Sequence, residues 1–416
     1  MDWLNRFDTV WLIDFEFSQP PGERPRVACL VAREFHSRRL LRISMDELVE
    51  MGQPPFDVGE RSLFVAYFSS AEWNCFLALG WPVPVRVLDL FCEFRCLLNG
   101  RTPPAGRGLL GCLAYFGFDS MLASEKTEMR ELAIRGGPFT RDEMVALLDY
   151  CQTDVDALGT LLPAMMRVID FPRAIHRGRY MRSVAAMETA GVPIDVETLA
   201  LFRRQWLAIK RQLIAAVDQS FGVFDGDTFK QDRFADYLIR NRIPWPTTDS
   251  GRLALDDETF RQQARAYPQV SPLRELRHAL SEMKLEKLAV GLDGRNRVML
   301  SPFASRSGRN QPSNNKFIFG PSVWLRGLIK PAVGRSIAYV DWSQQELGIA
   351  AALSRDPALG QAYASGDPYL EFAKMAGAVP PSATKKTHPN ERSAYKVCML
   401  ATQYGMSEHG LAAKLN

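Results

Sequence analysis

The sequence predicts an α/β domain over residues 1–170, a mostly helical region over residues 171–300 and an α+β region over residues 301–416. Short apolar runs bounded by polar turns predict strands in the first region, whereas helical periodicity dominates the second. Charge changes at the same point, because acidic residues are in excess before residue 170 and basic residues after it. This asymmetry indicates domains with different tasks, and the basic part is the candidate for binding a polyanion.

The first domain is predicted from five apolar runs and three helical stretches. The strands form a meander followed by two further strands, over residues 10–13, 27–31, 40–43, 63–67 and 85–88. The helices cover residues 71–79, 108–116 and 141–162.

Phe171-Pro172 marks the predicted boundary of this domain. Residues 179–215 predict a helical stretch that is interrupted around Gly191-Val192-Pro193. In the third region, residues 337–340 predict a buried strand that runs into Asp341, and residues 392–404 predict a helix.

The composition excludes several classes of protein. With 46% hydrophobic and 24% charged residues, the chain is an ordinary soluble globular protein. It has no apolar run near the ~20 residues of a membrane span, and its N-terminus lacks the pattern of a secretory signal. The seven cysteines are scattered without zinc-type pairs. We therefore expect a cytoplasmic protein that is monomeric and does not contact a membrane.

Asp341 is a candidate metal ligand. An acid at the end of a buried strand is held rigidly, as two-metal phosphoryl transfer requires of its ligands. The alternative is an ordinary capping aspartate, because strands often end in an acid that caps the following turn.

The predicted helix over residues 392–404 carries a stripe suited to a nucleoside triphosphate. A spacing of four residues drifts only about 40° around a helix, so Arg392, Lys396, Leu400 and Tyr404 form one slowly winding line. Two cations can bind phosphates and an aromatic ring can stack on a base. The alternative is a solvated basic face that continues into the core.

Acids in the first domain predict a second metal site. Asp14 and Glu16 lie on one face of the first strand, because side chains alternate with period two. Tyr150 and Asp154 lie one turn apart on a predicted helix. Carboxylates that converge from separate elements repel one another unless a cation neutralises them, so this cluster indicates Mg²⁺ or Mn²⁺.

Three segments in the second half resemble motifs of family A DNA polymerases, the family of bacterial DNA polymerase I. Residues 341–348 are similar to motif A, D-Y-S-Q-I-E-L-R, and residues 392–405 to motif B, R-x3-K-x3-F-G-x2-Y-G. Residues 307–312 resemble the T-G-R segment that contacts primer–template duplex. The chain departs from these patterns by Trp342 for Tyr, Gln345 for Ile, Gly348 for Arg, and Leu400-Ala401 for Phe-Gly.

The resemblance implies roles for individual residues. Asp341 would be a palm metal ligand, and Glu346 would be the steric gate that excludes ribose. Arg392 and Lys396 would bind the triphosphate, while Tyr404 would pack at the nascent base pair. DNA contacts would come from Arg309, Asn310 and Gln344.

The N-terminal acids resemble the 3′–5′ proofreading exonuclease domain of the same family, which has a ribonuclease H-like fold. By this resemblance Asp14, Glu16 and Asp154 bind metal, and Tyr150 positions the attacking water. Glu72 is the preferred fourth acid, and Asp89 is the competing candidate.

The complete prediction is a phage-like or bacterial family A DNA polymerase with an exonuclease domain, a thumb-like helical region, and partial palm and fingers. Its partners would be primer–template duplex, a single-stranded 3′ end and deoxynucleoside triphosphates, and Mg²⁺ or Mn²⁺ would bind as a two-metal site in the exonuclease domain. The family's second palm acid lies in a later His-Asp-Glu motif that does not occur in this sequence. We therefore expect a chain truncated before that motif, with an incomplete palm metal site and no primer extension by itself.

Two alternative functions remain open: the chain could act only as a 3′–5′ exonuclease, or it could be a non-catalytic DNA-binding fragment.

Overall fold

The computed structural model describes residues 3–118, 123–282, 287–305, 307–320 and 323–415. The chain divides into two compact units, Met1–Arg335 and Ser336–Asn416. The further division of the chain at residues 170 and 300 stays a prediction.

A five-stranded mixed sheet organises the first unit. Its strands are β1 (Thr9–Ser18), β2 (Arg26–Glu34), β3 (Leu40–Ser44), β4 (Ser62–Ala66) and β5 (Arg86–Asp89). They lie in the order β3-β2-β1-β4-β5. Strand β2 is antiparallel to its neighbours β1 and β3, whereas β4 is parallel to β1 and β5 is parallel to β4. The predicted meander and the two later strands are therefore confirmed, and β1 and β2 are longer than predicted.

Two long helices beside this sheet start at strong capping residues. Thr140 forms a capping box with Glu143 at the start of the helix over Arg141–Met165, and Asp170 accepts a hydrogen bond from the Arg173 N–H at the start of the helix over Phe171–Ala190. The helices are α1 (Met45–Glu50), α2 (Ser69–Ala78), α3 (Leu90–Leu98), α4 (Leu109–Tyr115), α5 (Ala123–Arg135), α6 (Arg141–Met165) and α7 (Phe171–Ala190).

The two faces of the sheet bury different residues of the same strands. Val10 and Leu12 of β1 pack on one side in a cluster with residues of α6, including Val155. Trp11 and Ile13 point to the opposite side, into a cluster that holds aromatic residues of α2. This alternation is the period of two of a strand that is covered on both faces, which explains why the first strand is a continuous apolar run.

Helix α7 is fastened to the sheet although it follows the predicted domain boundary at residue 170. A β-carbon at Gly178 would lie 1.9 Å from the carbonyl oxygen of Val87, so only glycine allows this close approach to β5. Glu93, which is buried, accepts two hydrogen bonds of 2.6 and 2.5 Å from the Arg177 guanidinium. The first turns of the region predicted as thumb-like are therefore part of the packing of the α/β domain.

The remainder of the first unit is mainly helical, with short two-stranded ribbons. An aromatic cluster around the fully buried Phe234 and Phe260 forms its core. Its elements are β6 (Val192–Pro193), α8 (Val196–Asp218), β7 (Phe224–Asp225), β8 (Thr228–Phe229), α9 (Gln231–Arg240), α10 (Asp257–Ala266), α11 (Ser271–Glu282) and β9 (Arg295–Asn296). The predicted interruption near residue 191 lies between α7 and α8, where Gly191 has a φ of +62°.

The regular secondary structure described in the second unit is helical. Its helices are α12 (Gln345–Ser354), α13 (Pro357–Ala364), α14 (Pro368–Met375), α15 (Pro389–Gln403) and α16 (Glu408–Leu415). Gly348, which replaces the arginine of motif A, lies against the Tyr363 ring, and a β-carbon there would be 2.7 Å from Cζ.

The predicted buried strand over residues 337–340 is wrong. These residues have no regular secondary structure, and the side chains of Tyr339 and Val340 are 91% and 79% exposed. A strand needs a hydrogen-bonded neighbour, and none of the described residues pairs with this segment.

Among the described residues, no helix has the length and apolar character needed to cross a membrane.

Candidate functional site

Asp14 and Glu16 lie within β1 rather than beyond its end. The parallel pairing of β1 with β4 ends at Leu12 and Val65, so both acids occupy the part of β1 that extends past its parallel neighbour. Both side chains are half-buried. The carboxyl ends of parallel strands leave an open edge there, where side chains from following helices can approach.

The structure brings a thiol to these two carboxylates. A carboxylate oxygen of Asp14, a carboxylate oxygen of Glu16 and the Sγ of Cys151 all lie within 4.8 Å of one another. The Cys151 Sγ is 3.3 Å from Asp14 Oδ2 and 3.2 Å from the Asp14 carbonyl oxygen. Cys151 was not predicted, although it directly follows Tyr150 on the same helix.

Glu72 of α2 lies beside the same pair of acids. Its side chain is 4% exposed, and its Oε2 has no hydrogen-bond partner. Burial, followed by the nearby carboxylates of Asp14 and Glu16, raises the pKa of Glu72 well above its ordinary value. A buried carboxyl oxygen without a partner is costly, and a bound cation would remove that cost.

Asp89, the competing candidate, has a different environment. It is the N-cap of α3, and its Oδ1 accepts a hydrogen bond of 2.8 Å from the Cys92 N–H. Its Oδ2 accepts hydrogen bonds from the N–H and the hydroxyl of Ser69, at 2.6 and 2.7 Å. Both oxygens are thus engaged in joining α2 and α3, which is a structural task.

Tyr150 and Asp154 stand one turn apart on α6, as their spacing predicted. Burial, with the carboxylates of Asp154, Glu16 and Asp14 nearby, raises the pKa of the Tyr150 hydroxyl. The group therefore stays protonated at neutral pH and can donate a hydrogen bond. Glu16 and Tyr150 line an open cleft of about 690 Å³ together with residues of α4 and α5, among them Thr127 and Arg130.

The donor set of this site fits a hard divalent cation. Carboxylate oxygens are the ligands that Mg²⁺ and Mn²⁺ prefer, and Asp14, Glu16 and Glu72 supply them from two elements. The partnerless oxygen of Glu72 is the strongest indication, because the described protein groups do not satisfy it. We name this group of Asp14, Glu16, Glu72, Tyr150 and Asp154 the carboxylate site.

The segment that resembles a duplex-binding motif lies against the α/β domain. Arg95 of α3 donates hydrogen bonds to the Pro302 carbonyl oxygen at 2.6 Å and to the Ser301 hydroxyl at 3.1 Å. The Tyr180 hydroxyl donates to Asn310 Oδ1 at 3.1 Å, and Arg309 is exposed beside it. Asn310 is thus held by α7, and residues 301–302, which precede the segment, are held by α3.

In the second unit, two predicted triphosphate-binding residues share one aromatic partner. Arg392 lies 5.4 Å and Lys396 5.9 Å from the centre of the buried Tyr369 ring. Arg392 also donates from Nε to Asp367 Oδ2 at 2.5 Å. We name Arg392, Lys396, Tyr369 and Asp367 the cation site; Asp367 and Tyr369 were not predicted.

The other predicted residues of this unit lie on or near α12 and α15. Asp341 is exposed in an irregular segment, and Gln344 is the N-cap of α12 in the left-handed region, with a φ of 43°. Glu346 is half-buried, and its carbonyl oxygen accepts a hydrogen bond of 3.3 Å from Gln403 Nε2. Tyr404 follows the last residue of α15 and is 55% exposed. Tyr404 thus lies one residue beyond the end of α15, whereas the predicted helix included it.

Residues 321–416 match the family described as DNA polymerase family A. The chain is 26% identical over 298 residues to the DNA polymerase I of Aquifex aeolicus (strain VF5). That similarity covers 64% of this chain and 50% of the relative, so the chain spans about half the length of the curated relative that it matches.

A solved structure with a similar fold is the POL domain of Pol1 from M. smegmatis, in complex with DNA primer-template and dNTP. The TM-score is 0.65 at 17% sequence identity, over 100% of this chain and 72% of that one. At this identity the similarity concerns the fold alone.

Proposed function

We propose that this chain is a member of the family A DNA polymerases, and that its first unit also carries a 3′–5′ exonuclease that degrades single-stranded DNA from its 3′ end. The observation that carries this proposal is the buried, partnerless Oε2 of Glu72 beside Asp14 and Glu16. Three acids converging from β1 and α2 are the arrangement that metal-dependent phosphodiester hydrolysis requires.

The topology of the first unit supports a ribonuclease H-like exonuclease domain. Its sheet has the order β3-β2-β1-β4-β5, with the acids on the central strand and further candidate ligands on flanking helices. Helix α2, which carries Glu72, and helix α6, which carries Asp154, pack on opposite faces of the sheet. Such convergence supports a two-metal site rather than a single structural ion.

Each residue of the carboxylate site has a specific task in this proposal. Asp14, Glu16, Glu72 and Asp154 would hold Mg²⁺ or Mn²⁺, whose chemistry is to polarise a water and the scissile phosphate. The protonated Tyr150 hydroxyl would donate a hydrogen bond that orients the water. Water adds to phosphorus, the P–O3′ bond breaks, and the departing 3′ oxygen takes up a proton, which releases a nucleoside 5′-monophosphate.

The second unit would contribute the polymerase part of the function. Arg392 and Lys396 of the cation site can bind a triphosphate, and Asp341 would be a palm metal ligand. Glu346 would exclude ribose, Tyr404 would pack at the nascent pair, and Gln344 would contact DNA.

The deciding experiment measures nucleotide release from a 3′-labelled single-stranded oligonucleotide while Mg²⁺ or Mn²⁺ is titrated. We expect release by the wild-type chain and a loss of about 10³-fold or more in an Asp14→Ala, Glu16→Ala double variant, because both metal ligands on β1 are removed. Asp46→Ala, Glu47→Ala, on α1, is the control for two lost surface acids. Unchanged release in the first double variant would contradict the exonuclease assignment.

The same assay separates the two alternatives to this proposal. Binding of the oligonucleotide without any release supports a non-catalytic DNA-binding chain. Primer extension that survives Asp14→Ala but is lost in Asp341→Ala would support the proposed role of Asp341 as a palm metal ligand and would contradict an exonuclease without polymerase activity. Release without any binding of deoxynucleoside triphosphate would support an exonuclease only.

A further inference from the structure

An open, basic cleft is lined by residues of α7 and by Leu77 of α2, and no residue of the carboxylate site lines it. Its volume is about 630 Å³, and no acidic side chain lines it among the described residues. The polar residues that line it are His176, Arg179, Tyr180, Arg182 and Ser183. We name it the α7 cleft.

The arginines of α7 fall into two classes. Arg173 is paired with Asp170 at 3.4 Å, and Arg177 with Glu93 at 2.5 Å. Arg179 and Arg182, in contrast, make no ion pair with any part of the chain that the structure describes. The Nε of Arg182 is buried and has no hydrogen-bond partner there. Two guanidinium groups that line a cleft without an acidic partner are available to an anionic ligand.

The Tyr180 side chain connects the α7 cleft to the segment that resembles a duplex-binding motif. Tyr180, which lines the cleft, donates its hydroxyl hydrogen bond to Asn310, next to Arg309. The Tyr180 ring also packs edge-on against Phe303, with centroids 5.6 Å apart. The Tyr180 side chain therefore contacts both surfaces.

We propose that the α7 cleft binds the phosphodiester backbone of duplex DNA and extends the contact made by residues 307–310. This inference rests on the proposed binding of duplex by that segment. Arg179 and Arg182 are three residues apart on one helix, a spacing of about 5–6 Å between β-carbons, so both can contact one strand. Guanidinium groups bind phosphate oxygens in bidentate fashion and carry no sequence preference here, because they contact only the backbone.

The test is the salt dependence of duplex binding by the whole chain, measured by fluorescence anisotropy without divalent metal. Each lost phosphate contact reduces the slope of log K against log salt by about 0.9, so Arg179→Ala, Arg182→Ala should lower it by about 1.8. Arg179→Lys, Arg182→Lys should restore most of the slope, because the positive charges are kept. Arg173→Ala is the control for a lost cation on the same helix, and it should leave the slope unchanged.

An Arg309→Ala variant distinguishes the failure of this inference from failure of the proposed function. If the wild-type chain does not bind duplex, the proposed DNA-binding function itself is wrong. If Arg309→Ala weakens binding while Arg179→Ala, Arg182→Ala has the wild-type slope, the α7 cleft does not contact DNA. A reduced slope that the lysine variant does not restore, accompanied by a lower melting temperature, would show a structural effect and also overturn the inference.

Discussion

The carboxylate site and the cation site carry opposite charges and differ in how far those charges are compensated by the protein. In the first unit, acids converge on a buried edge of the sheet, and Glu72 keeps a carboxyl oxygen without a partner. In the second unit, Arg392 and Lys396 lie over one tyrosine ring, and Asp367 already neutralises part of their charge. The first arrangement is unfavourable until a cation binds, whereas the second is already compensated.

This difference indicates how each site is held. The acids of the carboxylate site are held by a sheet with helices on both faces. The packing of this sheet offsets the repulsion between the like charges. The cation site is fixed by pairing within a small helical unit whose buried cluster includes Leu370, Ala373 and Val379. We therefore expect substitutions in the first site to change activity and stability in opposite directions, and substitutions in the second to have smaller effects.

The largest expected effect is at Glu72. Glu72→Gln removes a proposed metal ligand without changing the volume of the side chain, and exonuclease activity should fall by about 100-fold or more. Asp89→Asn is the matched control, because an asparagine can still cap α3. Its activity should stay within a few-fold of wild type. Equal losses of activity in the two variants would contradict the proposal that Glu72, rather than Asp89, is the metal ligand.

The same variant should stabilise the protein when no metal is present. The pKa of Glu72 is raised in the folded state, so the folded protein holds this proton at pH values where the unfolded chain has lost it. The free energy of unfolding should therefore fall as pH rises from about 4.5 through the raised pKa. Denaturant unfolding in EDTA at pH 5 and pH 8 should show this loss in the wild type and much less of it in Glu72→Gln.

The second prediction compares two helical glycines, one from each unit. A β-carbon at Gly178 would collide with the backbone of Val87, whereas one at Gly360 would have no neighbour within 4 Å. Gly178→Ala should destabilise the first unit by about 1–3 kcal/mol or more. Gly360→Ala should be neutral or stabilise α13 by up to ~1 kcal/mol. Unfolding followed by tryptophan fluorescence and circular dichroism measures both, and a neutral Gly178→Ala would refute the close packing of α7 on β5.

The third prediction concerns the choice of sugar in any form of the enzyme that extends primers. Glu346→Ala should raise the use of ribonucleotides relative to deoxyribonucleotides by about 10-fold or more, because the side chain no longer fills the space of a 2′-hydroxyl. Gln345→Ala, its exposed neighbour, is the control. Steady-state kinetics with matched nucleotide pairs measure the ratio, and an unchanged ratio would remove Glu346 from this role.

The smallest expected effect is at Asp367. Asp367→Asn keeps the N-cap of α14 but removes the charge that faces Arg392, so the second unit should lose about 1 kcal/mol of stability. The loss should shrink at 1 M salt, where the Debye length is about 3 Å. Glu371→Gln, whose partner Lys374 lies one turn away on the same helix, should cost less. Similar losses in both variants would show that Asp367 has no special role in holding Arg392.

Local sequence patterns were sufficient wherever a single element decides the geometry. Period two placed Asp14 and Glu16 on one face of β1, and a helical spacing placed Tyr150 and Asp154 one turn apart. The same reasoning failed for residues 337–340, because an apolar run becomes a strand only if another strand pairs with it. Among the described residues, no such partner exists.

The sequence by itself therefore determined the order of elements, the meander, and the acids and cations available to each site. Only the tertiary structure decided that Glu72 rather than Asp89 faces β1, because the choice depends on where α2 and α3 lie around the sheet. It also brought Cys151 to Asp14 and Tyr180 to Asn310, across 137 and 130 residues of chain. Contacts of this kind arise from packing between distant elements, whose positions a local pattern does not specify.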